Sequence, residues 1–206
     1  MTQYILFGIG FAFAAAVQPG PLQAFLLSQV AEKGWRRTLP AAFSPLVSDG
    51  PIALLVLLVL KRLPESVGGV LQVAGGLLLV YLAAAAARRW WRGRAGEPDA
   101  RAAAPRTLLQ AAAVNILNPN PYLGWSLILG PLVLKAWHEG PPNAVALIVA
   151  FYATMVTSLG LTILVLGTTQ FLGPRGRRLL VLLSALTLAA LGAYQLAAGL
   201  RRLPWR

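Results

Sequence analysis

Of the six acidic residues in this 206-residue chain, only Asp49 falls inside a long apolar run. Glu32, Glu65, Glu97, Asp99 and Glu139 are expected in loops. A carboxylate at mid-bilayer costs at least ~2.5–3.5 kcal/mol on insertion scales, so an intramembrane acid is first read as functional. No basic residue lies deep in an apolar stretch to pair with it. Removal from water penalises the charged form of a carboxyl. The expected behaviour is a side chain that keeps a proton when occluded and releases it when water or a cationic group arrives, as a carrier of protons or amines must. The competing reading is a structural acid that stays protonated and donates to a freed backbone carbonyl. Both readings turn Asp49 toward the bundle interior. Ser44 and Ser48 precede it in SPLVSDGP, forming a short polar strip with Pro45 and Pro51 on either side.

The second chemical signal is backbone left without partners. In QPGPLQAF, residues 18–25, Pro19 and Pro21 interrupt an apolar run. Proline has no N–H and its ring clashes with the preceding turn, so the carbonyls of Ala15 and Val17 lose their helical donors. Gln18 and Gly20, each before a proline, are pushed out of the α region. NPNPYLGW, residues 118–125, repeats the break at an offset of 100. Pro119 and Pro121 match Pro19 and Pro21, Asn120 matches Gly20, and Trp125 matches Phe25. Interrupted backbone at membrane depth is tolerated where it is buried in protein or lines a wet cavity. The candidate substrate-binding residues are therefore Gln18, Pro19, Gly20, Pro21 and Gln23 at the first break. Ser48 and Asp49 join them from the second span. Asn115, Asn118, Pro119, Asn120 and Pro121 supply the second break. Asn115 and Asn118, three apart, are expected on one helical face, where they bind substrate or re-satisfy unwound backbone. Asp49 is the candidate for proton coupling. No residue is assigned a catalytic or metal role, and no cofactor is expected.

The elements that must carry these residues are membrane helices. The chain is 57% hydrophobic and 12% charged, too apolar for a soluble domain of this size. Six spans are expected at about 4–30, 38–60, 67–88, 107–134, 143–172 and 178–200, each long enough to cross a bilayer. Met1-Thr2-Gln3 has no basic side chain and the apolar run continues past the prolines, so the first span is read as uncleaved. The net charge of +12 does not indicate nucleic acid, because the basic residues cluster at span ends. Twelve Lys and Arg follow spans one, three and five, against six on the other side. The richer side is cytoplasmic, which places both termini outside the cytoplasm. Tryptophans at span ends (Trp35, Trp90, Trp91, Trp137 and Trp205) fit the headgroup region, so membrane lipid is an expected partner. There are no cysteines, and the single histidine, His138, is expected in a loop beside Glu139. Disulfides, thiolate metal sites and His-rich sites are thereby excluded.

One membrane domain, 1–206, is expected in two halves: repeat one at 1–88, a polar cytoplasmic linker at 89–106, and repeat two at 107–206. Each half holds three spans, an odd number, so the halves cross in opposite directions. The fold class is an all-α integral membrane protein of six transmembrane helices, built as two inverted three-helix repeats, with the first and fourth helices broken at P-x-P. Paired interrupted spans in inverted halves point to a transport site at the bilayer midplane.

An ordered set of motifs then resembles a known family. The Pro-Gly-Pro break in the first span, the basic turn GWRR at residues 34–37, the aspartate of the second span and the N-x-x-N-P motif of the fourth are similar to the lysine-exporter (LysE/RhtB) superfamily of bacterial amino-acid efflux proteins. The likeness covers essentially the whole chain. It departs in carrying Asn120-Pro121 where the family often has lysine after Asn-Pro, and Pro40 and Pro45 where glycines are common. The resemblance implies a bacterial inner-membrane exporter of an amino acid or related amine, and it alone implies export rather than import. Proton exchange is the expected coupling, and a homodimer is admitted. The alternatives are a non-transporting scaffold and a membrane-embedded enzyme. The latter is disfavoured because one aspartate with no membrane histidine or cysteine supplies no nucleophile–base pair.

Overall fold

A computed structural model describes residues 1–18, 20–58, 65–92, 104–168 and 173–203. Among these residues the chain is helical throughout, with no strand. Pro19, Lys61, Arg62, Arg94, Glu97, Asp99, Arg101, Trp205 and Arg206 lie outside the described residues. Ten α-helices are described: α1 (Thr2–Val17), α2 (Pro21–Lys33), α3 (Trp35–Thr38), α4 (Ser44–Leu58), α5 (Glu65–Trp91), α6 (Ala104–Ile116), α7 (Pro119–Gly124), α8 (Gly130–Glu139), α9 (Pro141–Gly167) and α10 (Gly173–Arg202). A 3-10 segment at Leu39–Phe43 joins α3 to α4, and a π-helical turn at Trp125–Leu129 joins α7 to α8.

Four stretches are long and apolar enough to cross a membrane: Trp35–Val56, Gly69–Trp91, Pro141–Gly167 and Arg178–Arg202. A fifth is added if α1 and α2, bent by 61°, count as one span. The region expected as the fourth span is divided among α6, α7, the π turn and α8, none of which is long enough to cross by itself.

Lipid tails are as apolar as leucine, so helices in a bilayer associate through close packing rather than water exclusion. Small residues decide where that packing occurs. On α1, Gly8, Ala12 and Ala16 recur every four residues and are buried. A Cβ on Gly8 would stand 2.8 Å from the Leu147 carbonyl oxygen, so glycine there lets α1 lie directly on α9. The α5–α10 pair uses the same device: Gly76 and Gly192 each abut the other's backbone, as do Gly69 and Gly199.

Proline explains the irregular segments. Pro45 cannot donate to the Ala41 carbonyl; Ser44 N–H donates to it instead, in the tighter 3-10 pattern. Pro51 stands inside α4. Pro21 opens α2 and Pro119 opens α7, positions where the missing N–H costs nothing.

Several expectations are corrected here. Glu32 is not in a loop; α2 continues to Lys33 because nothing stops it before Gly34, whose φ of 81° ends the helix. Glu32 is buried there, accepts from Ser28 Oγ at 3.3 Å and pairs with Arg89 at 3.7 Å. His138 and Glu139 close α8 rather than a loop, and Glu139 accepts from Tyr4 Oη at 2.8 Å, tying α8 to α1. Glu65 is the first residue of α5. Arg89, Trp90 and Trp91, placed in the linker by composition, are the last turn of α5. Asn115 and Asn118 do not share a helical face: α6 ends at Ile116, and Pro119 forces Asn118 into an extended conformation (φ −91°, ψ 126°).

Candidate functional site

At the first break, α1 ends at Val17, and Gln18 (φ −61°, ψ 124°) and Gly20 (φ −174°, ψ −172°) are extended before α2 begins. The Ala16 carbonyl loses its helical donor and accepts from Gln23 Nε2 at 2.7 Å. One side chain, reaching back seven residues, thus satisfies one of the carbonyls freed at the break.

The second break is closed differently. Asn118 N–H donates to the Asn115 carbonyl, which Pro119 cannot satisfy, at 3.2 Å. Asn118 is also the N-cap of α7, its Oδ1 accepting from Asn120 N–H at 3.1 Å. Five residues on, the helix widens into the π turn, with Gly130 N–H bonded to the Trp125 carbonyl. Such turns are frequent at functional sites because they re-aim side chains.

Asp49 lies on α4 and is 4% exposed. Asn115 Nδ2 donates to Asp49 Oδ1 at 2.8 Å and to Ser48 Oγ at 2.7 Å. Ser48 Oγ stands 3.2 Å from Asp49 Oδ1 and 2.9 Å from the Ser44 carbonyl, and its single hydrogen serves one of the two at a time. Both contacts to the carboxyl converge on Oδ1. An oxygen that accepts these bonds does so whether the group is ionised or carries its proton on the other oxygen. The indole N–H of Trp125, which borders the same cavity as Asp49, is buried and has no hydrogen-bond partner among the described residues.

A cavity of about 360 Å³ connects these groups. Gln18, Gly20, Pro21 and Gln23 line it from the first break. Asn118, Asn120 and Pro121 line it from the second, and Asp49 and Asn115 lie between them. Of the residues expected at the site, Pro119 is buried outside the lining, and Ser48 reaches the cavity only through Asn115 and Asp49. Pro19 lies outside the described residues. Sequence reasoning missed the apolar wall: Phe11 from α1, Trp125 and Leu129 from the π turn, and Phe151, Met155 and Leu159 from α9. Trp125 was noted only as the counterpart of Phe25. The α9 residues stand four apart, but that spacing also describes an ordinary packing face. Thr154, Thr157 and Ser158 put hydroxyls mid-way along α9, and none of them is part of the lining.

Asp49 is the one charged side chain among the described residues that line the cavity. No group of His, Cys, Asp and Glu among the described residues could hold a metal ion. The arrangement provides a buried acid, amide groups and unwound backbone around a space of small-molecule size.

No curated protein matches the chain, and no solved structure does. The chain does match the LysE type translocator family over residues 13–199, a span that takes in both breaks, Asp49 and every lining residue except Phe11. A match over most of the chain, joined to the apolar helices, makes this a multi-pass membrane protein that belongs to the LysE type translocator family, whose members are exporters of small solutes and not enzymes.

Proposed function

We propose that the chain is a secondary active exporter of an amino acid or a related amine-bearing metabolite, coupled to proton exchange through alternating access. The observation that carries this reading is one cavity bordered by both interrupted segments and by Asp49. In this mechanism Asp49 takes the substrate ammonium or a proton in alternation. Asn115 and Ser48 engage Oδ1, which leaves the second carboxyl oxygen for the exchanging cation. A charge-assisted bond to ammonium favours the ionised carboxyl, and occlusion without ammonium favours the protonated one. The substrate carboxylate is received by the start of α2, where helical N–H groups after Pro21 lack intrahelical acceptors. The amides of Gln18 and Asn120, both exposed at the cavity, orient it.

Six spans in two inverted repeats, with both termini outside the cytoplasm of a bacterial inner membrane, complete the proposal. Its support is the packing. If the repeats are inverted, the α1–α9 contact of spans one and five has its mate in the α4–α6 contact of spans four and two. The α5–α10 pair, spans three and six, is then its own mate. All three pairs are in contact. Rocking of one half against the other would present the cavity to each side in turn.

Purified protein in vesicles with an imposed pH gradient tests the coupling. Wild type should move labelled amino acid against its gradient, and Asp49→Asn should abolish that movement; intact proton-driven transport in Asp49→Asn removes the coupling role. Ligand-dependent thermal stabilisation in detergent separates a transporter from a scaffold.

A further inference from the structure

We infer that the substrate side chain is neutral and apolar, of leucine, valine or methionine type, and that α9 with Phe11 forms its compartment; this rests on the exporter reading above. The cavity wall is divided by chemistry. Its polar side chains come from the two breaks, from α4 and from α6: Gln18, Gln23, Asp49, Asn115, Asn118 and Asn120. The α9 side contributes Phe151, Met155 and Leu159 and no polar side chain.

Phe151, Met155 and Leu159 are four residues apart and lie one turn above another on a single helix face. All three are buried. Phe11 extends this surface from α1, its ring stacked on Phe151 with centroids 6.1 Å apart and planes at 28°. Gly8, Ala12 and Ala16 hold α1 close to α9, so the wall is set by packing. Met155 is the adaptable member, since a thioether chain fills irregular gaps.

Charge accounting selects among amino acids. With Asp49 committed to the α-ammonium, a second cation as in lysine finds no acid among the described lining residues. A side-chain carboxylate as in glutamate finds no basic residue there either. Burying an ion without a partner is strongly unfavourable, whereas methyl groups against Phe151 and Met155 leave water at a gain. The volume of about 360 Å³ is at the small end of ligand pockets and suits one amino acid rather than a peptide.

Counterflow in vesicles preloaded with unlabelled solute tests this, using labelled leucine, lysine and glutamate in parallel. Leucine should exceed both charged amino acids by at least about tenfold, the scale on which an unmatched group in a pocket is rejected. Lysine or glutamate exchanged as well as leucine overturns the inference and leaves the exporter standing. Counterflow by no amino acid overturns the exporter reading instead. Met155→Glu, which adds an acid to the apolar wall, should raise the lysine-to-leucine ratio at least about tenfold. Phe151→Leu, a milder change that keeps the wall apolar, should shift preference from valine toward phenylalanine. A folded Phe151→Leu protein with unchanged preference places the compartment elsewhere and overturns the assignment.

Discussion

The two interrupted segments share a P-x-P spacing but are repaired in different ways. At the first, the one side-chain repair is Gln23 Nε2 on the Ala16 carbonyl, and Gly20 has no side chain to cap α2. At the second, Asn118 bonds back to α6 and caps α7, and Asn115 ties the same segment to Ser48 and Asp49 on α4. Their aromatic counterparts also diverge: Phe25 is fully buried in the core, whereas Trp125 borders the cavity. The lesson is that the second break is hydrogen-bonded to the acid strip, whereas among the described residues of the first none is. In the proposed transport cycle the second break would then serve as the fixed wall of the cavity and the first as the element that moves.

The largest effect is expected where the second break meets α5. A Cβ on Gly75 would collide with the Leu117 carbonyl and approach Gln195 Oε1. Gly75→Val should therefore cost about 3 kcal/mol of stability, as overpacking does. Gly10→Ala, at a position with nothing within 4 Å, should be silent. Thermal unfolding in detergent compares the two, and equal melting temperatures would break the picture of a clamped second segment.

Asn115→Leu comes next. It removes both donations to the acid strip and leaves Ser48 and Asp49 buried without their partner, a loss of about 2 kcal/mol. Ligand stabilisation should vanish with it, because Asp49 is no longer held in place. If the variant still binds leucine as wild type does, the second break is not the fixed wall.

Asn118→Ala deletes the cap of α7 and should lower stability by about 1 kcal/mol, measurable as a shift in the denaturation midpoint. Gln23→Leu should have the smallest effect on stability, under about 1 kcal/mol, since one hydrogen bond at a partly open site is lost. Its effect should appear in transport rate rather than ligand affinity. A change in affinity with an unchanged rate would reverse the roles assigned to the two breaks.

The chemistry was largely legible in the sequence because it follows from residue type. Proline cannot donate, so the positions of the gaps near residues 17–20 and 117–118 follow from the chain itself. A carboxylate in an apolar run has few tolerable surroundings, so Asp49 could be expected to face inward, where it is buried. Less legible was where helices begin and end. Glu32, Arg89 and His138 looked like loop residues by polarity, yet helices continue through them until a Gly34- or Gly140-type stop or a composition change intervenes. Asn115 and Asn118 are three apart in sequence, yet the chain between them leaves the helix.

What sequence alone determined is the set of backbone groups that must find unusual partners, and the single acid that must be kept from lipid. Both are local consequences of covalent structure and solvation. What only the tertiary structure decided is who those partners are. Asn115 meets Ser48 and Asp49 across 66–67 residues of chain, and Phe11 meets Phe151 because glycine and alanine on α1 admit α9 at short range. Such pairings depend on how helices pack in three dimensions, and a periodicity of four on α9 fits a core face and a substrate wall equally well.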